Sequence, residues 1–193
     1  ITCVKPSGTV SQLVDASSGI HARHNPHYIR TVRADKKDPL AKMMVDAGFP
    51  VEDDVVQPDH NYVFSFPMKA PDKAIFRTDM TAIEQLEHWL TYQRHWCEHK
   101  PSCTVSVKEH EWIEVGAWVY DHFDEMSGVS FLPFSEHIYR QAPYMDCDSS
   151  EYKDATKLMP KNVDWMLLAD YEETDQTIGS QELACSSAAG CEV

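Results

Sequence analysis

Strand-like and helix-like segments take turns along almost the whole chain, and that alternation constrains the fold more than any other feature. Thr2–Lys5 has strand character and is broken by Pro6-Ser7-Gly8; Thr9–Asp15 then reads as a helix ended by the Ser17-Ser18-Gly19 cluster. Tyr28–Val32 reads as a strand and Pro39–Ala47 as a helix, with Pro39 suited to its first turn and Gly48 to its stop. Gly48–His60 is an acidic, Pro-containing loop, and Tyr62–Lys69 a strand of aromatic and β-branched residues. Thr81–Trp96 has the most regular helical pattern: Asp79 or Thr81 can cap it, and Ile83, Leu86, Leu90 and Gln93 keep helical spacing. Cys103–Val107 (strand), Glu111–Phe123 (helix), Val129–Leu132 (strand), Ser149–Met159 and Val163–Tyr171 (helices) follow, and no internal repeat is visible. This spacing suits βαβ units, so the expected fold is α/β with a mostly parallel sheet and helical crossovers.

With 193 residues, 42% of them hydrophobic and 25% charged, the chain can bury a core, which excludes wholesale disorder and fibrous repeats. The longest apolar runs, such as Trp165–Ala169, are only a few residues long, so no bilayer span is expected. No charged-then-apolar leader opens the chain, and the expected setting is a reducing cytoplasm. The first residue is Ile1 rather than Met and already has strand character, which suggests a piece of something longer. From Glu172 the pattern dissolves: residues 172–193 contain no Lys or Arg and read as a mobile tail behind a folded 1–171 region.

A net charge of −14 argues against general nucleic-acid binding, so no DNA partner is expected. The charge is uneven, however. Ile1–Lys42 has seven basic and three acidic residues and is +4, leaving −18 for the remainder. An anionic ligand should therefore meet the N-terminal end, unless this is simply a solvated basic face.

The first chemically loaded segment is Lys5-Pro6-Ser7-Gly8-Thr9-Val10-Ser11. A strand running into a small-residue turn that opens a helix leaves backbone amides without intrahelical partners, and these can hold an anion. Gly8 permits close approach, while Ser7, Thr9 and Ser11 add hydroxyls. The same pattern also describes an ordinary capped helix start with Ser7 as the cap. The Gly spacing and Lys of a Walker loop are missing, which weakens an ATPase reading.

Six cysteines are present: Cys3, Cys97, Cys103, Cys147, Cys185 and Cys191. Small residues between Cys185 and Cys191 would let those two thiols meet reversibly; otherwise they are spectators. The other four read as buried small apolar residues or inert thiols. His95, Cys97, His99 and Cys103 have metal-ligand types, but they straddle a helix end and a strand start with Lys100-Pro101 between, so no metal site is expected. His21, His24 and His27 read, with Arg23 and Pro26, as a polar loop near the anion site, and Trp89, Trp96, Trp112, Trp118 and Trp165 as core.

Several segments in order resemble the large chain of adenosylcobalamin-dependent (class II) ribonucleotide reductases. They are residues 2–13 with 16–21, then 61–67, 101–107, 128–133 and 141–144, and the cysteine-bearing tail. The resemblance implies the C-terminal portion of that family's ten-stranded α/β barrel, incomplete on its own, with a flexible C-terminal tail. It implies that Ser7, Gly8, Thr9, Val10 and Ser11 bind the phosphates of a ribonucleoside triphosphate or diphosphate. It also implies that Cys185 and Cys191 re-reduce an active-site disulfide and are themselves reduced by thioredoxin or a similar dithiol. Five residues separate the two cysteines, where relatives usually have fewer. In that family, radical chemistry begun at adenosylcobalamin replaces the ribose 2′-hydroxyl by hydrogen. No cysteine here lies in a segment like the family's thiyl-bearing loop with its Asn and Glu. The resemblance therefore implies that the chain is inactive alone and acts with the N-terminal remainder of the reductase, in the same chain or as a split subunit. The competing expectation is a free-standing nucleotide- or anion-binding module with a thiol tail and no reductase activity.

Overall fold

The structure, a computed structural model, describes residues 1–8, 10–134 and 140–172. In chain order its elements are α1 (Val10–Leu13), β1 (His27–Asp35), α2 (Pro39–Asp46), β2 (Val51–Asp53), β3 (Asn61–Lys69), α3 (Ala82–His95), β4 (Thr104–Val107), α4 (Trp112–His122), β5 (Ser130–Pro133), β6 (Tyr144–Asp146), α5 (Ser149–Leu158) and α6 (Leu168–Tyr171). They divide into two compact units. Among the described residues, the first is built from 1–26 and 70–134, the second from 27–69 and 140–172. Among the described residues, no helix is long and apolar enough to cross a membrane.

The first unit is organised by α3. Thr81 caps it: its hydroxyl accepts from the Glu84 amide at 3.1 Å, and the Glu84 carboxylate accepts from the Thr81 amide at 2.7 Å. Ala82, Leu86, Trp89 and Leu90 then share one helical face and pack on Cys103, Val105 and Val107 of the β4 segment and on Val115 and Trp118 of α4. Trp89 is fully buried, and its indole N–H donates to the Pro101 carbonyl at 2.7 Å. Buried Glu111 holds two turns together by accepting from the Ala82 and Lys108 amides. β4 and β5 pair in parallel, Val105 opposite Phe131, with α4 as the crossover between them.

The second unit is a four-stranded sheet in the order β2-β3-β1-β6, and every pairing in it is antiparallel. This corrects the expectation of a mostly parallel sheet. The α2 crossover does return the chain parallel to β1, but the strand it feeds is β2, inside the stretch expected to be loop. From β2 the chain turns at residues 54–60, and β3 folds back between β2 and β1 with Thr31 opposite Ser65. Ala41 and Met44 of α2 pack with Phe49 and Phe64 over this sheet. Gly48, at φ +81°, makes the left-handed exit from α2 that a side chain would resist.

Three further expectations change. Thr2–Lys5 forms only an isolated parallel bridge, Val4 to Pro101. The first helix stops at Leu13, because Asp15 takes a left-handed φ of 53°. Trp89 and Trp118 are core, whereas Trp96, Trp112 and Trp165 are exposed; Trp96 follows the last residue of α3 and falls outside its packed face.

Trp89→Phe should lower stability by about 2–4 kcal/mol, since it strands the buried Pro101 carbonyl and leaves a void. Urea unfolding followed by circular dichroism measures this, and an unchanged midpoint would contradict the packing described.

Candidate functional site

The Ser7–Ser11 segment is held from several sides. Lys5 and Pro6 leave the Val4 bridge, and Gly19 comes beneath them at φ +57°; a Cβ there would stand 3.4–3.5 Å from Val4, the Lys5 carbonyl and Pro6. The Ser7 amide donates to the Ser18 hydroxyl at 2.9 Å. The Ser11 amide donates to the Ser7 hydroxyl at 3.0 Å, and the Ser11 hydroxyl donates to the Ser7 carbonyl at 2.7 Å. Ser7 is thus the cap that the sequence suggests, and buried Ser11 is its brace. A Cβ added at Gly8 would meet nothing within 4 Å, so the space over that residue is open. Val10 is exposed. Thr9 lies outside the described residues.

The return from α1 is fixed by Arg23, which the sequence places in the polar loop near the anion site without assigning it a contact. Arg23 is buried; its guanidinium donates to the Ala16 carbonyl at 2.6 Å and ion-pairs with Asp15. Its backbone bonds to the neighbouring segment, its amide to the Ile75 carbonyl at 2.8 Å and its carbonyl from the Arg77 amide at 3.0 Å. An isolated Arg in a loop carries no periodic signal, so only the fold exposes it.

His21 is structural. Its Nε2 accepts from the Thr104 amide at 2.9 Å, so its ring proton sits on Nδ1 and donates to the Ser18 carbonyl at 2.7 Å. This ties the segment after the Ser7–Ser11 turn to the start of β4. His27 instead stands in β1 of the second unit, with its ring 4.7 Å from that of Tyr152. Among the described residues, no three His, Cys, Asp or Glu side chains converge on a point where a metal could sit.

Cys97 and Cys103 are buried, Cys147 is half-buried and Cys3 is exposed. Burial in the α3–β4 core pushes the Cys103 thiol up to about 11. Cys147 is also raised, first by burial and then by Glu151, Asp148 and Asp146. Neither Cys103 nor Cys147 is poised as a thiolate nucleophile. Cys185 and Cys191 lie outside the described residues.

In the second unit, Gln141 is another polar residue that the sequence reading passed over. It is buried at φ +61°; its side chain accepts from the Val55 amide at 2.8 Å and donates to the Asp53 carbonyl at 2.7 Å. Thr31 adds a hydroxyl bond to the Ala142 carbonyl at 2.8 Å. Gln141-Ala142-Pro143-Tyr144 is therefore locked beside β1.

No protein-family model matches the chain. It is similar to the adenosylcobalamin-dependent ribonucleoside-triphosphate reductase of Euglena gracilis, 30% identical over 165 residues that take in 84% of this chain and 23% of the relative. The probable enzyme of the same name from Dictyostelium discoideum is 34% identical over 158 residues, 78% of this chain and 20% of the relative. That of Lactobacillus gasseri is 27% identical over 190 residues, 96% and 25%. A crystal structure of a B-12-dependent (class II) ribonucleotide reductase superposes with a TM-score of 0.70 at 25% identity, covering 88% of this chain and 24% of that one. In fold and sequence the chain is thus a relative of the class II ribonucleotide reductases. More narrowly, it is a homologue of the adenosylcobalamin-dependent ribonucleoside-triphosphate reductases, and it spans no more than a quarter of their length.

The thiols should divide by burial. Iodoacetamide at pH 8 should modify Cys3 in the folded chain and spare Cys97 and Cys103; rapid modification of Cys103 would contradict its placement. Because the folded state holds the Cys103 proton more tightly than the unfolded state, this thiol's contribution to stability is complete below its ordinary value of 9.0. It is lost as pH rises through about 11. Cys103→Ala should reduce that alkaline loss in unfolding midpoints, and an unchanged pH profile would contradict it.

Proposed function

We propose that this chain works as one stretch of an adenosylcobalamin-dependent ribonucleotide reductase. Residues 1–171 form the last part of its ten-stranded α/β barrel, and residues 172–193 its redox-active arm. The observation that carries the reading is the braced Ser7–Ser11 turn, with open space over Gly8, in a chain homologous to these reductases. Substrate phosphate is bound by Ser7, Gly8, Thr9, Val10 and Ser11. The Ser7 and Ser11 amides are spent within the turn, so Ser7 contributes its hydroxyl proton and Val10 its amide, while Ser11 keeps Ser7 in place.

Cobalamin, when bound, supplies radical generation to the complete enzyme. None of the described cysteines fits the thiol that would receive that radical. Cys103 is packed into the core, Cys97 is buried and Cys147 is half-buried, and no Asn–Cys–Glu loop of the family's kind surrounds Cys3. The cofactor and the radical-bearing thiol therefore belong to the remainder of the reductase, and the chain alone is inactive. The arm acts by thiol–disulfide exchange: Cys185 and Cys191 pass from dithiol to disulfide as the active-site disulfide becomes a dithiol, and thioredoxin or a similar dithiol reverses this. The free thiols of the folded region suit a reducing, cytoplasmic setting.

In the assembled enzyme, Ser7→Ala with Thr9→Ala should raise the KM for ribonucleoside triphosphate at least about tenfold, the scale of one lost hydrogen bond to a charged group. An unchanged KM would sink the phosphate assignment. Cys185→Ser should keep turnover with a small dithiol and lose it with thioredoxin; equal loss with both reductants would count against the shuttle.

A further inference from the structure

We propose that Arg23 is the positioning residue of the phosphate turn, acting through Ala16 and Ser11; the proposal rests on the reading of Ser7–Ser11 as a phosphate site. The connection is a continuous run of hydrogen bonds. The Arg23 guanidinium donates to the Ala16 carbonyl, and the Ala16 amide donates to the Ser11 carbonyl at 2.8 Å. Ser11 in turn grips Ser7 twice, amide to hydroxyl and hydroxyl to carbonyl. At its other end, Arg23 is anchored by backbone bonds to Ile75 and Arg77. The turn is thus fixed to residues 75–77 of the same unit rather than left as a loop that a phosphate must order.

Two features show that this placement is held against a cost. The Arg23 side chain is 4% exposed, and a buried guanidinium is tolerated only when paired and hydrogen-bonded. Asp15 supplies the pairing charge from a left-handed backbone at φ 53°, a conformation that non-glycine residues avoid. The ion pair holds Asp15 there, and the left-handed residue turns the chain so that the Ala16 amide reaches Ser11. An apolar residue at position 23 would fill the same space without directing either bond. A Lys would keep the charge but could not fork to Asp15 and Ala16 together.

The test uses the 193-residue chain, with inorganic tripolyphosphate as probe in calorimetric titration and amide hydrogen exchange in parallel. Arg23→Ala should weaken tripolyphosphate binding at least tenfold and speed exchange at Ser11 and Ala16, while α3 stays protected. Arg23→Lys should recover the unfolding temperature but not the affinity, a split that a merely space-filling or charge-burying role would not produce. Asp15→Asn, at an exposed carboxylate, should weaken binding two- to fivefold; it decides the matter if Arg23→Ala fails to fold, and unchanged affinity there overturns the proposal. Unchanged exchange at Ser11 and Ala16 in a folded Arg23→Ala chain also overturns it. Failure of the unsubstituted chain to bind tripolyphosphate overturns the phosphate reading, and with it Arg23's role in binding. Faster exchange in Arg23→Ala would then still establish that Arg23 fixes the turn.

Discussion

The first unit depends on one peptide link, Lys100–Pro101, whose proline is fully buried. The Lys100 carbonyl accepts from the Val4 amide at 3.2 Å, and the next available amide, Ser102, donates back to the Val4 carbonyl at 2.9 Å. Pro101, which has no N–H to leave unsatisfied, fits between them, and its carbonyl takes the buried Trp89 indole. α3 therefore fixes the position of Pro101, Pro101 fixes Val4, and Val4 sets where the chain enters the Ser7–Ser11 turn. The path from the α3 core to the Ser7–Ser11 turn runs through the Trp89–Pro101 bond and the two backbone bonds to Val4.

The same turn is held at its far end by hydrogen bonds and one ion pair. The His21 ring reaches β4, the Arg23 backbone reaches residues 75–77, and the Arg23 guanidinium, paired with Asp15, reaches the Ala16 carbonyl. Backbone bonds anchored on buried Pro101 hold the entry, and side-chain bonds from His21 and Arg23 hold the exit. The turn between them is braced from within by the Ser7 and Ser11 amides and the Ser11 hydroxyl. Of the N-terminal cations, Arg23 is paired with Asp15 and Lys36 with Asp53.

Helical pattern was the most legible part of the sequence. α3, α4 and α5 fall within one or two residues of expectation, because apolar periodicity and caps such as Thr81 and Asp148 are local signals. Strand direction was not legible. β2 is three exposed residues, Val51–Asp53, with no alternation to mark them, yet its hairpin to β3 turns the second sheet antiparallel. At the candidate site, the Ser7 cap could be read from residue types alone. Arg23, Gln141 and Glu111 could not, because each is a buried polar residue whose partners lie far along the chain and whose identity would suit an exposed loop equally well.

The central claim is that these residues work as part of a larger cobalamin-dependent reductase, and the most direct measurement is the size and company of the native protein. An antibody against residues 172–193 would be used to blot and to purify it from its source. The account predicts either one much larger polypeptide or a chain of this size that co-purifies with a cysteine-bearing partner. In both cases the purified material should reduce ribonucleotides only when adenosylcobalamin is added. A chain of this size purified without any partner, with no ribonucleotide reduction when adenosylcobalamin is added, would contradict it and establish a free-standing module.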